Sequence, residues 1–174
     1  TEMWIKSTST PPINTYILGY YFGGSNGWLT YMAATNAISQ WISNSIRVTS
    51  STTLANSTWY HVVATYDGAN SKTYINNVLT TTANVTSPTS SASGLAFGAS
   101  STGAGFYPGY MQDVAIYNYA LNSSQVGAHF NNKNTINVCR SSTTLSNNVW
   151  YYIGALWDGT NSSLFVNGRQ ECAN

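Results

Sequence analysis

The side chains able to do acid–base, nucleophilic or metal chemistry are few and scattered in this 174-residue chain. The acids are Glu2, Asp67, Asp113, Asp158 and Glu171, and the histidines are His61 and His129. Retaining glycoside hydrolysis needs two carboxylates about 5.5 Å apart as nucleophile and acid/base. No two of these acids are close in sequence. Asp67 and Asp158 open "DGANS" and "DGTNS", where Asp-Gly accepts the positive φ of a tight hairpin. Two histidines are too few for a zinc site, and no nucleophile-plus-base set can be drawn. The chain is expected not to be an enzyme.

Two further residue types point outside the cell. Cys139 and Cys172 form an even pair, which in an extracellular chain reads as a disulfide; two free buried thiols are the alternative. Such a bridge stabilises by roughly 3–4 kcal/mol in the loop-entropy account. Four Asn-x-Ser/Thr triplets, at Asn56, Asn84, Asn122 and Asn161, could accept glycans. A chain rich in Asn, Ser and Thr also produces such triplets by chance, and Asn56 and Asn122 are the better placed, in predicted turns.

The elements that must carry these residues are strands. "TEMWIKS" alternates, with Met3 and Ile5 pointing one way and Trp4 the other. "IRVTSSTTL", "WYHVVATY", "KTYINNVLTT", "GLAFGAS", "GYMQDVAIYN", "TINVC", "WYYIGALW" and "SLFVNGRQEC" are β-branched and aromatic runs bounded by Gly, Asn, Asp or Ser. Asn76-Asn77 and Asn167-Gly168 are further tight-turn dipeptides. One segment, residues 122–130, reads as a helix, with Asn122 or Ser123 as its cap and Leu121, Val126 and Phe130 near helical spacing. Closely spaced strands with almost no helix predict an all-β antiparallel sandwich.

One sentence is written twice. Ser50–Ala83 aligned without gaps on Ser141–Asn174 gives 14 identities in 34 positions, among them Trp59/Trp150, Tyr60/Tyr151, Asp67/Asp158 and Asn76/Asn167. Solenoids and propellers need three or more units at constant spacing, so two copies read as equivalent parts of two sandwiches. The expected division is a domain over 1–133 and a partial second unit over 134–174. Trp59 and Trp150 are expected in the core. Alternation puts Trp59, His61 and Val63 on one face and Tyr60, Val62 and Ala64 on the other, both apolar, so the strand is expected to be central and covered. His61 becomes Tyr152 in the second copy, which favours packing over chemistry at that position.

Composition narrows the partners. Charged residues make up 6% of the chain, against about a quarter in an ordinary soluble domain. Disorder is excluded by 43% apolar and 14% aromatic content. A net charge of +1 with scattered Lys and Arg leaves no footprint for nucleic acid. No apolar run approaches the ~20 residues of a membrane-spanning helix, so membrane insertion is not expected. A first residue other than Met reads as a processed chain or a piece of a longer one. The neutral, hydroxyl-rich surface suits an extracellular or cell-surface location.

"STWYHVVATYDGANSKTYINN", then "LAFGAS", then "GFYPGYMQDVAIYNYALNSSQVGAHFNN" resembles the laminin-G-like group of the concanavalin A-like lectin/glucanase superfamily. Residues 46–133 follow that pattern in order, and residues 136–174 match its central section again. Strands that usually precede "TEMWIKS" do not appear, the second copy lacks opening and closing strands, and Asn77 replaces a usual Gly. The resemblance implies a jelly-roll sandwich with helix 122–130 as an appendage. It also implies a structural Ca²⁺ at Asp113, in the closing strand, completed by carbonyls and Asn side chains; a solvent-facing Asp is the alternative. Sugar recognition is its natural functional implication, through aromatic faces and amide hydrogen bonds. "YILGYYFGGSNGWLTYM" (Tyr16–Met32) and "GAGFYPGY" (Gly103–Tyr110) have the composition of exposed aromatic loops, and neither names a stacking residue.

The reading is a non-enzymatic extracellular adhesion or recognition module for a glycan or cell-surface ligand. The alternative is a subunit of a filament or envelope layer that self-assembles with like subunits by strand addition between incomplete sandwiches.

Overall fold

The computed structural model describes residues 1–174 except 23–25, 43–44, 86–93, 101–102, 133–139, 158–161 and 174. The chain divides into two compact units, Thr1–Phe130 and Asn131–Asn174.

The first unit is a sandwich of two antiparallel sheets and one helix. One sheet holds β1 (Glu2–Ser7), β6 (Tyr60–Tyr66), β7 (Asn70–Ile75), β8 (Val78–Asn84) and β10 (Gly109–Ala115), in the order β10-β1-β6-β7-β8. The other holds β2 (Thr15–Phe22), β3 (Asn26–Met32), β4 (Ala37–Ile42), β5 (Ser45–Thr53) and the short β9 (Ala96–Phe97), in the order β5-β4-β3-β2-β9. Between the sheets Met3 and Ile5 of β1 and Val62 of β6 meet Ile17, Leu18, Met32 and Ile38, all fully buried. A buried polar tie joins the layers too. Gln40 of β4 donates to the Lys72 carbonyl at 2.9 Å and to Thr73 Oγ1 at 2.7 Å, and accepts from Ser71 Oγ at 2.6 Å.

Strand β6 is central and covered on both faces, as its two apolar faces require. Val62 enters the main core, while Val63 packs on the far side with Tyr74, Leu121 and Val126 beneath helix α1 (Ser123–Asn131). The sequence writes the start of α1 plainly. Asn122 Oδ1 accepts from the Gln125 amide at 2.9 Å, and Gln125 Oε1 accepts from the Asn122 amide at 3.0 Å, a reciprocal capping box. Leu121 before the cap and Val126 in the first turn share one buried cluster, fixing the angle at which the chain enters the helix.

Tyr16–Met32 is a hairpin of β2 and β3, not an exposed loop. Its aromatics are consistent with an exposed loop, but they pair across two strands, and Gly19 answers to close packing. A Cβ there would lie 2.7 Å from the Trp28 carbonyl oxygen and 2.8 Å from Leu29 Cα.

The second unit holds β11 (Ile153–Trp157), β12 (Ser162–Val166) and β13 (Arg169–Ala173) in one antiparallel meander. The repeated sentence has a structural cause here. The Ala55 amide donates to Tyr60 Oη at 3.1 Å, and the Ser146 amide donates to Tyr151 Oη at the same distance. Asn76 Oδ1 takes the His61 amide, and Asn167 Oδ1 takes the Tyr152 amide, each at 2.9 Å. Ser57 and Asn148, and likewise Asn76 and Asn167, hold matching left-handed φ values of 60°, 61°, 49° and 51°. The repeat therefore encodes a turn–strand–hairpin unit.

The tryptophans depart from expectation. Trp59 is half-buried on the sheet surface, where the Lys6 ammonium sits 5.2 Å from its ring centroid, and Trp150 is 98% exposed. Both precede the first paired residue of their strand, outside the stretch that the core covers.

Candidate functional site

Two features of the first unit could carry function: a closed ionic network and an open cavity beside it. The network centres on Glu2, which alternation places on the same face of β1 as Trp4. His61 Nε2 of β6 donates to Glu2 Oε1 at 2.7 Å. Tyr117 Oη and His129 Nδ1 of α1 both donate to Glu2 Oε2, at 2.7 and 2.8 Å. Burial raises the Glu2 carboxyl, but hydrogen bonds from His61, Tyr117 and His129, with the His61 charge, outweigh it and hold the group at about 2. Burial and the bond to Glu2 push Tyr117 up to about 12, so it stays a donor. Trp4 and Phe130 stack at 5.9 Å and flank His61. Both carboxylate oxygens are occupied and His61 is 1% exposed, so Glu2 and His61 bind structure together, while His129, 36% exposed, meets Glu2 through Nδ1 at the rim of the network.

The cavity, about 290 Å³, opens where the ends of β3, β4 and β6 meet residues 116–119. Trp28, Tyr66 and Tyr119 contribute rings and Asn118 an exposed amide, while Gln40 and Thr30, 5% and 1% exposed, form its buried polar back. No charged side chain lines it. Gln40 is fixed by its bonds to β7, and Tyr117, another wall residue, is fixed by Glu2. The network thus positions one wall of the cavity. A second, smaller depression of about 110 Å³ is lined by Asn14, Tyr16, Leu29, Tyr31 and Trp41, drawn from β2, β3 and β4 and the residue before β2. Tyr16 pairs with Tyr31 and Tyr31 with Ser39 in one row across the sheet.

The residues singled out in the sequence scatter. Asp67 is consumed by its turn, accepting the Ala69 and Asn70 amides at 3.0 and 2.7 Å, and Asp158 lies outside the described residues. Asp113 is exposed on β10 with a left-handed φ of 52°, at a bulge where β1 and β10 shift register. Asp tolerates that conformation better than most residues, which gives this position a backbone role. Among the described residues no three His, Cys, Asp or Glu side chains gather in a metal-holding geometry. Asn56, Asn84 and Asn122 are exposed; Asn161 and Cys139 lie outside the described residues. Of the expected loop residues 103–110, Phe106 is exposed and Tyr107 is buried, with its hydroxyl pushed up to about 12 by that burial. Glu2 and His129 were legible only as isolated ionisable residues. The available signal was a carboxylate inside an alternating apolar strand, which demands buried partners.

In the second unit Glu171 accepts from the hydroxyls and amides of Ser142 and Thr143 at 2.6–3.1 Å, and these bonds hold its carboxyl at about 2.

Two facing antiparallel sheets, a core between them and an appended helix define a lectin-like β-sandwich. The chain belongs to the Laminin_G_3 family of the concanavalin A-like lectin/glucanases superfamily, whose profile matches residues 1–127. Among solved structures it is similar to a Bacteroides ovatus protein provisionally assigned to carbohydrate binding, with TM-score 0.62 and 17% identity over 72% of this chain. It is also similar to a Trypanosoma rangeli sialidase solved with sialic acid, with TM-score 0.51 and 15% identity over 78% of this chain. The matched regions span 38% and 23% of those two proteins, and at such identities the likeness concerns the fold. A comparison with curated proteins gives no match. Among the described residues no helix is long and apolar enough to cross a membrane, which leaves β-barrel spans unaddressed.

Proposed function

We propose that the chain is a non-enzymatic carbohydrate-recognition module that acts outside the cell or at its surface, with the cavity beside residues 116–119 as its binding site. One observation carries this reading: the cavity combines the Trp28, Tyr66 and Tyr119 rings with amide and hydroxyl groups, and no charged side chain lines it. Rings stack on sugar faces while amides and hydroxyls give directional bonds, the composition a neutral glycan needs. The provisional assignment of the Bacteroides protein supports the same class of ligand. A screen of neutral oligosaccharides, repeated with Asn118→Ala and Tyr119→Ala, tests it. Both residues are exposed, so their loss is expected to weaken binding while leaving the fold intact.

Two earlier expectations join this proposal. The Cys139–Cys172 bridge is tested by thiol alkylation before and after reduction. Calcium at Asp113 would draw most of its six to eight oxygens from carbonyls and amides, since one carboxylate is a small part of that set. Its expected sign is a rise in melting temperature with added Ca²⁺ that chelator reverses and Asp113→Asn abolishes.

A further inference from the structure

The two copies of the repeated sentence act as an internal control for one another. In the first unit His61 and Val62 of β6 are 1% and 0% exposed, because β1 pairs along one edge of the strand, the second sheet covers the Val62 face and helix α1 covers the His61 face. Their equivalents in the second unit, Tyr152 and Ile153, are 72% and 54% exposed, and Leu156 on the same strand is 63% exposed. Among the described residues β11 pairs with β12 and has no strand on its other side. Soluble proteins rarely leave such a face and edge uncovered together.

The first unit shows how open edges are normally guarded. Edge strand β10 carries the Asp113 bulge, the β4–β5 pairing shifts register twice, the β7–β8 pairing shifts once, and β9 is only two residues long. Each irregularity spoils pairing with another chain. Strand β11 has none of them. It pairs with β12 in unbroken register over five residues, and "IGALW" contains no charge and no proline.

We propose that β11 docks on β11 of a second copy of this chain, antiparallel across a two-fold axis at Gly154. The product is a continuous six-stranded sheet in the order β13-β12-β11-β11-β12-β13. An identical strand meeting itself antiparallel is self-complementary, which a closed dimer requires. The register follows from the sequence. Gly154 faces its own copy, Tyr152 faces Leu156 of the second copy, and Ile153 faces Ala155. Tyr152–Leu156 pairs then adjoin on one face and Ile153–Ala155 pairs on the other, while the open edge of β11 is paired. An uncharged strand meeting its copy also brings no like charges together. This inference stands independently of the glycan reading.

Light scattering after size-exclusion chromatography of the full chain, across the micromolar range, provides the test. The expected result is a dimer whose dissociation constant rises at least tenfold in Leu156→Lys, an exposed position where the change leaves the unit folded. Gly154→Cys gives a second readout, because a Cβ there meets nothing closer than 3.8 Å. It is expected to form a disulfide-linked dimer under mild oxidation. A wild-type chain that stays monomeric overturns the proposal. So does a dimer that Leu156→Lys leaves unchanged and Gly154→Cys fails to cross-link.

Discussion

Glu2 and His61 lie 59 positions apart in sequence and 2.7 Å apart in the fold, joining the first strand of the sandwich to its central one. With Tyr117 and His129 on the second oxygen, one carboxylate fastens β1, β6, the segment after β10 and helix α1. Its occupied oxygens make it a structural clamp, and Tyr117 carries the effect to the cavity wall.

The clamp makes stability depend on acid pH. Glu2 is held at about 2, below its ordinary 4.5, so its contribution is complete above pH 4.5 and is lost as pH falls through about 2. The loss totals roughly 3 kcal/mol across that window. Glu2→Gln is expected to cost about 3 kcal/mol at neutral pH, because its amide NH₂ opposes donors that a carboxylate accepted. Urea unfolding of both proteins between pH 2 and 7 checks this, and the variant should show the flatter pH profile.

The repeat predicts paired effects. Tyr60→Phe and Tyr151→Phe each remove the acceptor of one backbone amide, and each is expected to cost about 1 kcal/mol. Hydrogen exchange should show faster exchange at Ala55 in the first variant and at Ser146 in the second. An effect confined to one unit would break the equivalence of the two copies.

Gly19→Ala should destabilise by roughly 2 kcal/mol or more, since its methyl group would press on the backbone of Trp28 and Leu29 in the neighbouring strand. Thermal melting reads this directly. A melting temperature unchanged from wild type would mean that β2 and β3 separate at little cost.

Much of the frame was legible in the sequence because its signals are local. Asp67-Gly68 and Asn167-Gly168 announce hairpins, Asn122 or Ser123 announces a capped helix, and Met3 and Ile5 against Trp4 announce a two-faced strand. The clamp was not legible, because alternation says which face Glu2 occupies and nothing about the partner 127 positions away. Tyr16–Met32 differs from expectation for a related reason: aromatics that pair across two strands, as Tyr16 does with Tyr31 and Tyr20 with Trp28, look in sequence like aromatics displayed on a loop. Trp150 is 98% exposed because a repeated residue does not bring a repeated environment with it. Its neighbours in the first unit come from segments that the second copy does not repeat.

The most direct test of the account is isothermal titration of neutral oligosaccharides into the full chain and into Tyr119→Ala and Asn118→Ala. The account predicts measurable binding by wild type, at least tenfold weaker in both variants, with unchanged melting temperatures. Absence of binding across a broad neutral set, or binding that both variants retain in full, would contradict the assignment of this cavity to glycan recognition.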